Sequence, residues 1–529
     1  MQKGPKVDIN EYCTFIAREN GLTVSFSNTG LEYCINGNGK WVTLEANANT
    51  PAINSGQTIS FRGNISSASQ STGIGAFSTS KKFDLIGNCM SLIHGDNAQS
   101  NNTLLYTSTF KYLFKDTKVV NVSKTFLPAT IIEDTCYTGM FQNCVNLITA
   151  PELPGDVGII VTNGDHSSYI GGSCYAYMFA GCTSLVTAPE LPSKTVCNGC
   201  YSYMFDGCTA LKAAPELPAT SGDGSYDRMF RGCTSLVTAP SVLPLTVISH
   251  SAYYSMFEGC TKLVTAPDIK AVECEGYMND MRAMFKNCTS LKVPPPRLPA
   301  VVSISCCYEM FYDCSSLTSA PALPATTLAS SCYSYMFCNC SSLTSAPALP
   351  ATTLASDCYS YMFCNCSSLT SAPALPATTL ASSCYYNMFA GTKITSAPAL
   401  PATTLTNYCY TYMFSRCSSL TSAPALPATT LASSCYSNMF SSCTSLTTAP
   451  FLPAKQLVSN CYNYMFNGCT ALGYVEAAFT TAPGSSYTNS WLSNVKSTGI
   501  FVKNANAGWN VTGTSGVPTG WTIQYNTYD

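Results

Sequence analysis

Charge is what this sequence most lacks: Asp, Glu, Lys and Arg make up 10% of its 529 residues, against roughly a quarter in an ordinary globular chain. The 26 basic residues nearly cancel the 28 acidic ones, so no positive field exists to hold a phosphate backbone, and nucleic acid is excluded as a partner. Histidine is also scarce. His94, His166 and His250 lie far apart without a recurring carboxylate beside them, so no triad or paired-carboxylate arrangement forms, no catalytic residue is assigned and no enzyme is expected. Long apolar runs are missing too. The stretch from Cys314 to Arg416 is interrupted by charge only at Asp357 and Lys393, but Pro, Ser and Thr break it every few residues, and it cannot cross a bilayer. The opening MQKGPKVDINEYCTFIAREN carries no apolar segment of signal-peptide length, so synthesis in a reducing cytoplasm is expected.

Cysteine and repetition are abundant. Met-Phe occurs thirteen times, and from Met284 to Met465 it returns every 26 residues with one interval of 25, inside units such as LTSAPALPATTLASDCYSYMF from Leu343 to Phe363. A period of that length means a solenoid, in which one coil cannot bury its apolar side alone and is stabilised by its neighbours. Among the 30 cysteines, nine pairs stand eight residues apart, such as Cys332 with Cys340 and Cys435 with Cys443. They fall at inward phases and read as buried free thiols acting as small apolar residues; disulfides stacked between coils are the alternative.

Three segments follow. Residues 1–105 lack the repeat and alternate in short runs, Leu22–Ser27, Leu31–Ile35, Trp41–Leu44 and Thr58–Arg62, with Asn36-Gly-Asn-Gly39 as a hairpin signal; a small β-sandwich is expected. Residues 106–474 hold about fourteen coils, beginning with a degenerate unit at Tyr112-Leu-Phe114 and widened by an insertion at Gly155–Gly172. Residues 475–529 return to polar, aromatic and glycine-rich sequence and predict a β-rich cap over the open end of the array.

Within one unit, Leu354, Cys358, Met362, Cys366 and Leu369 follow at spacings of four, four, four and three. That spacing predicts one inward stripe on a short helical turn, with Phe363 beside it. In the other half, Pro347 and Pro350 remove backbone donors and fix extended chain, which predicts a short strand.

The motif Met-Phe-x-x-Cys-x-x-Leu followed by a Leu-Pro segment, as in Met256-Phe-Glu-Gly-Cys260 with Leu263 and Met465-Phe-Asn-Gly-Cys469 with Leu472, resembles the BspA type of leucine-rich repeat. The usual unit of that family reads Ala-Phe-x-x-Cys-x-x-Leu and then an Ile-x-Ile-Pro strand. The resemblance covers about 370 residues and departs in unit length and in placing Ala-Pro where the family strand has Ile. Proteins of this kind occur on surfaces of host-associated bacteria and in virions of gut bacteriophages, as adhesins or receptor-binding fibres. The resemblance therefore implies a non-enzymatic binding protein, expected as a virion fibre that meets a host-surface glycan or protein and joins other virion proteins through its N-terminal domain. A bacterial cell-surface adhesin and a virion decoration or spacer protein are the other readings. Cofactors and membrane insertion are not expected, and assembly as a homo-oligomer is open.

Two tyrosine rows run along the units. Tyr333, Tyr359, Tyr385, Tyr410, Tyr436 and Tyr462 follow the first cysteine and are expected to pack beneath the next coil with hydroxyls bonded to backbone. The second row, Tyr335, Tyr361, Asn387, Tyr412, Asn438 and Tyr464, lies beside the inward methionine. Its alternation of ring and amide suits stacking and hydrogen bonding to sugars, so it is the candidate binding row. No metal ligand is assigned: Cys338, Cys340, Cys364 and Cys366 offer four sulfurs in adjacent coils, but spacing within a cysteine-rich repeat explains them, as it explains Cys197-x-x-Cys200. Asp156, Asp165 and His166 in the insertion read as a polar contact loop.

Overall fold

The computed structural model describes residues 6–104, 106–154, 158–160, 173–191, 199–218, 225–275 and 278–528. Asp156, Asp165, His166 and Cys197 lie outside the described residues. The chain divides into two compact units, one made of Met1–Leu245 with Ala252–Leu263 and the other of Thr246–Ser251 with Val264–Asp529.

The first unit opens with eight short strands: β1 (Cys13–Ala17), β2 (Val24–Phe26), β3 (Leu31–Ile35), β4 (Val42–Leu44), β5 (Thr58–Gly63), β6 (Phe77–Thr79), β7 (Phe83–Ile86) and β8 (Val119–Val122). In place of the expected sandwich stand a six-stranded sheet, ordered β4-β3-β5-β1-β7-β8, and a separate β2-β6 pair. Pairing is antiparallel except between β7 and β8. That exception matters, because β8 lies beyond residue 105 and Asn121 within it bridges Thr149 in parallel. The sheet thus ends on a repeat coil and covers the edge that the first coil would otherwise expose. Phe15 stacks on Phe83 at 4.7 Å, Phe77 stacks on Phe114 at 5.4 Å, and Phe114 starts a column that continues through Phe141, Phe179, Phe205, Phe230 and Phe257.

The second unit repeats one coil design and ends in a cap. The stacked coils form a solenoid. Its extended halves stack through single parallel bridges such as Ser319↔Ser345, Thr353↔Thr379 and Thr404↔Thr430. Proline prevents longer ladders there.

The half of the coil expected to be helical is not a helix. Asp357, Tyr359, Tyr361, Phe363 and Asn365 donate their amides to Ser382, Cys384, Tyr386, Met388 and Ala390 of the next coil at 2.7–3.1 Å. The residues between them, Ser360, Met362, Cys364 and Cys366, donate to Asp357, Tyr359, Tyr361 and Phe363 three positions back, at 3.1–3.3 Å. Every second amide therefore closes a β-turn inside the coil, and every other one ties the coil to its neighbour. Asp357, Tyr361 and Asn365 have φ of 55°, 55° and 59°, the left-handed backbone that the third residue of a type II turn requires. The chain then points two residues in and two out. Cys358, Tyr359, Met362, Phe363 and Cys366 are buried in the interior; of the outward positions, Ser360 and Cys364 are buried too, Tyr361 is half-buried and Asn365 is exposed. A spacing of four is common to this turn ladder and to a helix face, which is why the sequence pattern misleads. Leu354 and Leu369 are buried as well.

Side chains inside the ladder form columns. Phe285 through Phe466 stack at 5.4–5.8 Å, and Tyr333 through Tyr462 at 5.8–6.1 Å. Each such pair contributes about 0.5–1.5 kcal/mol beyond the burial of its area. All 29 described cysteines are buried and none forms a disulfide, so stacked disulfides are absent among the described residues.

The ladder runs past residue 474. Tyr464, Phe466 and Gly468 donate to Asn489, Trp491 and Ser493 at 2.8–2.9 Å, although this last coil carries no Met-Phe. Trp491 turns its ring 30° from Tyr462 and 55° from Phe466 and anchors its indole N–H on Gly516, closing both ring columns. Beside it Tyr474–Ala477, Ile500–Asn504 and Thr522–Asn526 form a parallel three-stranded sheet.

Candidate binding face

The outward residues of the turn ladder make the candidate face. Tyr335, Tyr361, Asn387, Tyr412, Asn438 and Tyr464 all hold left-handed backbone, with φ between 55° and 58°. Their amides are committed to the next coil; Tyr361 donates to Tyr386 at 2.7 Å and Asn438 to Asn463 at 2.8 Å. This conformation gives a backbone reason for the alternation of tyrosine with amide, because Asn tolerates positive φ better than other residues except glycine. Gly139 holds the same place in the first unit, with φ of 58°, and a Cβ there would meet the ring of Tyr112 at 2.3 Å.

Ring geometry along the row is uneven. Tyr335 and Tyr361 stack face to face, 4.2 Å apart and 9° from parallel, so they offer edges and hydroxyls to solvent and hide their faces. At Asn387 the ring missing from the row is supplied by the adjacent Tyr386, 5.4 Å from Tyr361 and 5.8 Å from Tyr412. Burial and the neighbouring Tyr361 push the Tyr386 hydroxyl up to about 12. At Asn438 the adjacent residue is Ser437, and no ring fills the place. A cavity of about 490 Å³ opens there, lined by Tyr408, Tyr412, Asn438, Asn463 and Tyr464. Tyr464 is 38% exposed, and its hydroxyl takes a hydrogen bond from Asn489 at 3.0 Å. Further along the row, Tyr308, Tyr335, Tyr361 and Tyr386 border a second hollow of about 330 Å³ floored by Ser334, Asp357 and Ser360. Burial raises the Asp357 carboxyl above its ordinary pKa.

The same row carries charge in the first unit. Arg228 lies over Tyr254 at 4.1 Å and donates to the hydroxyl of Tyr203, and Arg231 grips Asp206 through two bonds of 2.7 and 2.9 Å. The sequence reading missed Arg228, Tyr308, Tyr386 and Tyr408, because they sit at outward positions that vary from unit to unit.

The first tyrosine row is buried as expected, with mixed hydroxyl partners. Tyr226 donates to the Pro218 carbonyl at 2.6 Å and Tyr253 accepts from the Leu245 amide at 3.1 Å, whereas the buried hydroxyls of Tyr137, Tyr175 and Tyr333 find no protein partner. The four sulfurs weighed for zinc separate. Cys338 and Cys364 pack together beneath Tyr335 and Tyr361, while Cys340 and Cys366 turn inward onto the carbonyls of Phe311 and Phe337 at 3.0 and 3.1 Å.

No curated protein matches this chain. Among solved structures, one titled "Crystal structure of TLR13-ssRNA13 complex" aligns at 12% identity with a TM-score of 0.22, over 75% of this chain and 58% of that one. This chain thus spans little more than half the length of the chain in that structure. Residues 172–292, 281–421, 330–473 and 378–502 match the pattern described as the BspA type leucine rich repeat region. With more than half of its length matched in overlapping segments, the chain belongs to the BspA type leucine-rich repeat family.

Proposed function

We propose that this chain is a non-enzymatic binding protein that presents the outward face of its turn ladder to a host-surface glycan. The observation that carries the reading is the slot at Asn438, where a carboxamide stands between Tyr412 and Tyr464 without a ring to fill the gap. Two coil spacings separate those tyrosines, about 9.6 Å at the usual interstrand distance. Such a gap admits a pyranose ring edge-on, with Asn438, Asn463 and the tyrosine hydroxyls as hydrogen-bonding groups. The repeat array, counted from sequence as fourteen coils, serves as the support, and the sheet-rich N-terminal segment as the anchor to other virion proteins. The virion setting, with the chain as a fibre or receptor-binding protein, is supported by the family resemblance.

A glycan array probed with the purified chain tests the ligand class. Asn438→Tyr, which fills the slot, and Tyr412→Asn, which keeps left-handed backbone but removes a ring, are both expected to abolish the strongest signals while leaving the circular dichroism unchanged. Glycan binding that survives both substitutions would refute the site. Mass spectrometry of purified virions tests the setting separately. Detection in particles together with binding to cells supports the fibre reading, and detection without cell binding favours a spacer.

A further inference from the structure

The second unit contains one place where several departures from the repeat converge. In the column occupied by Cys306, Cys332 and Cys358, the preceding coil carries Asp280; in the column of Tyr333 and Tyr359 stands Cys307; in the column of Leu354 and Leu380, at the position paired with Ile248, stands Cys274. All of these are buried, and Asp280, Cys306 and Cys307 have no exposed surface. Drift in a dry column replaces one apolar residue by another, because a carboxylate taken from water without compensation costs several kcal/mol. Asp280 is instead held in place. Its Oδ2 accepts from the Ser303 hydroxyl at 2.6 Å, its Oδ1 takes the Ser251 amide at 3.4 Å, and His250 lies within electrostatic reach.

We propose that Cys274, Asp280 and Cys306 bind a zinc ion; Cys307, whose sulfur stands 3.7 Å from that of Cys306 but outside the cluster formed by the other three, has to turn toward the ion to serve as the fourth ligand. The donor atoms of the first three lie within 4.8 Å of one another. Two thiolates on one tetrahedral zinc, each about 2.3 Å from it, stand about 3.7 Å apart. Cys306 and Cys307 have that separation, 3.7 Å, whereas Cys274 and Cys306 are 2.9 Å apart and need to part by roughly 0.8 Å to meet the same geometry. Soft sulfur donors with one carboxylate select zinc over magnesium or calcium, which take oxygen shells. The ion supplies the positive charge that Asp280 lacks in a dry interior, and Ser303 orients the carboxylate as outer-shell partners do. Leucine and tyrosine fill the places of Cys274 and Cys307 in other coils, and here the metal takes over the cohesion that their larger side chains provide there. It acts as a structural clip between neighbouring coils.

The test uses the full chain purified under reducing conditions, with metal content measured by inductively coupled plasma mass spectrometry and with cobalt(II) titrated into the chelator-treated protein. One metal equivalent per chain and a thiolate-to-cobalt charge-transfer band are expected. Cys274→Ser and Cys306→Ser should each remove the band, Ser303→Ala should weaken binding about 10- to 100-fold, and Cys384→Ser, in the same column but remote from the cluster, should leave it intact. Native protein with no metal and no cobalt band would overturn the site whether or not any variant folds. So would a peptide map joining Cys274 to Cys306 by a disulfide, or a cobalt spectrum that persists when both are serine.

Discussion

The thiol of Cys366 donates to the carbonyl of Phe337 in the preceding coil at 3.1 Å, onto an oxygen that already accepts the amide of Cys340 at 3.0 Å. The same bond recurs from Cys314 to Phe285, Cys340 to Phe311, Cys443 to Phe414 and Cys469 to Phe440. Cysteine is suited to this position because it is small enough for the column and still carries a weak donor. Where cysteine is absent, Thr117 and Thr392 stand in its place and bond instead the phenylalanine carbonyl three residues back in their own coil, Phe114 and Phe389, at 2.8 Å.

That pattern sets an order between two residues of one shape. Cys366→Thr should be more stable than Cys366→Val by about 1 kcal/mol, since threonine retains a donor for a buried carbonyl and valine does not. Urea denaturation of the two variants checks it. In an ordinary apolar core the order is the reverse, so a valine variant more stable than the threonine variant would remove the hydrogen-bonding role of the column.

Left-handed backbone at Tyr361 makes a second order. Tyr361→Asn should cost no more than its ring contacts with Tyr335 and Tyr386, about 0.5–1.5 kcal/mol each, whereas Tyr361→Val should cost roughly 1–2 kcal/mol more, because a β-branched residue clashes at positive φ. Thermal melts followed by circular dichroism give the comparison. Equal melting temperatures for the two variants would contradict the turn assignment.

Met362 has no exposed surface and lies beside the phenylalanine column. Met362→Asp places a charge there without a partner and should lower stability by at least about 3 kcal/mol. Hydrogen exchange should show the loss spreading into the adjoining coils, since each coil is held mainly by its neighbours. Protection factors left unchanged on either side would show that the coils do not support one another.

Burial pushes the Asp227 carboxyl up to about 7, against the opposing charges of Arg228 and Arg231. A folded pKa above the unfolded one means that the folded state holds the proton more tightly. Stability is then greatest below the unfolded pKa of about 4 and falls as pH rises through about 7. Three units at about 1.4 kcal/mol each put the loss on the order of 4 kcal/mol. Asp227→Asn should flatten that dependence and raise the urea midpoint near pH 8 relative to the parent chain. A parent chain whose midpoint is level from pH 5 to pH 8 would exclude the effect.

Much of the coil was legible in the sequence. The 26-residue return of Met-Phe establishes stacking, and the inward set of Leu354, Cys358, Met362, Phe363, Cys366 and Leu369 is buried. The helical reading of those same residues was wrong because a four-residue interval belongs both to a helix face and to a run of β-turns. A clue that separates them was present: Asn339, Asn365, Gly391, Ser442 and Gly468 stand at the position before the second cysteine or its threonine substitute, where left-handed backbone favours Asn and Gly and where a helix would disfavour glycine. The candidate row was legible as a row, but the slot at Asn438 was not, because it depends on Ser437 standing where Tyr386 stands in another coil. Trp491, which closes the ring columns, carries no Met-Phe to announce it.

Sequence alone determined the period, the scarcity of charge and the identity of the inward residues, because each is a property of a repeated unit that must bury the same side in every copy. Tertiary structure alone decided the direction of every second hydrogen bond, the stacking or parting of neighbouring rings and the meeting of Cys274 with Asp280 and Cys306. Those relations join residues one coil apart, and their geometry is set when backbone amides choose between the turn beneath them and the coil beside them.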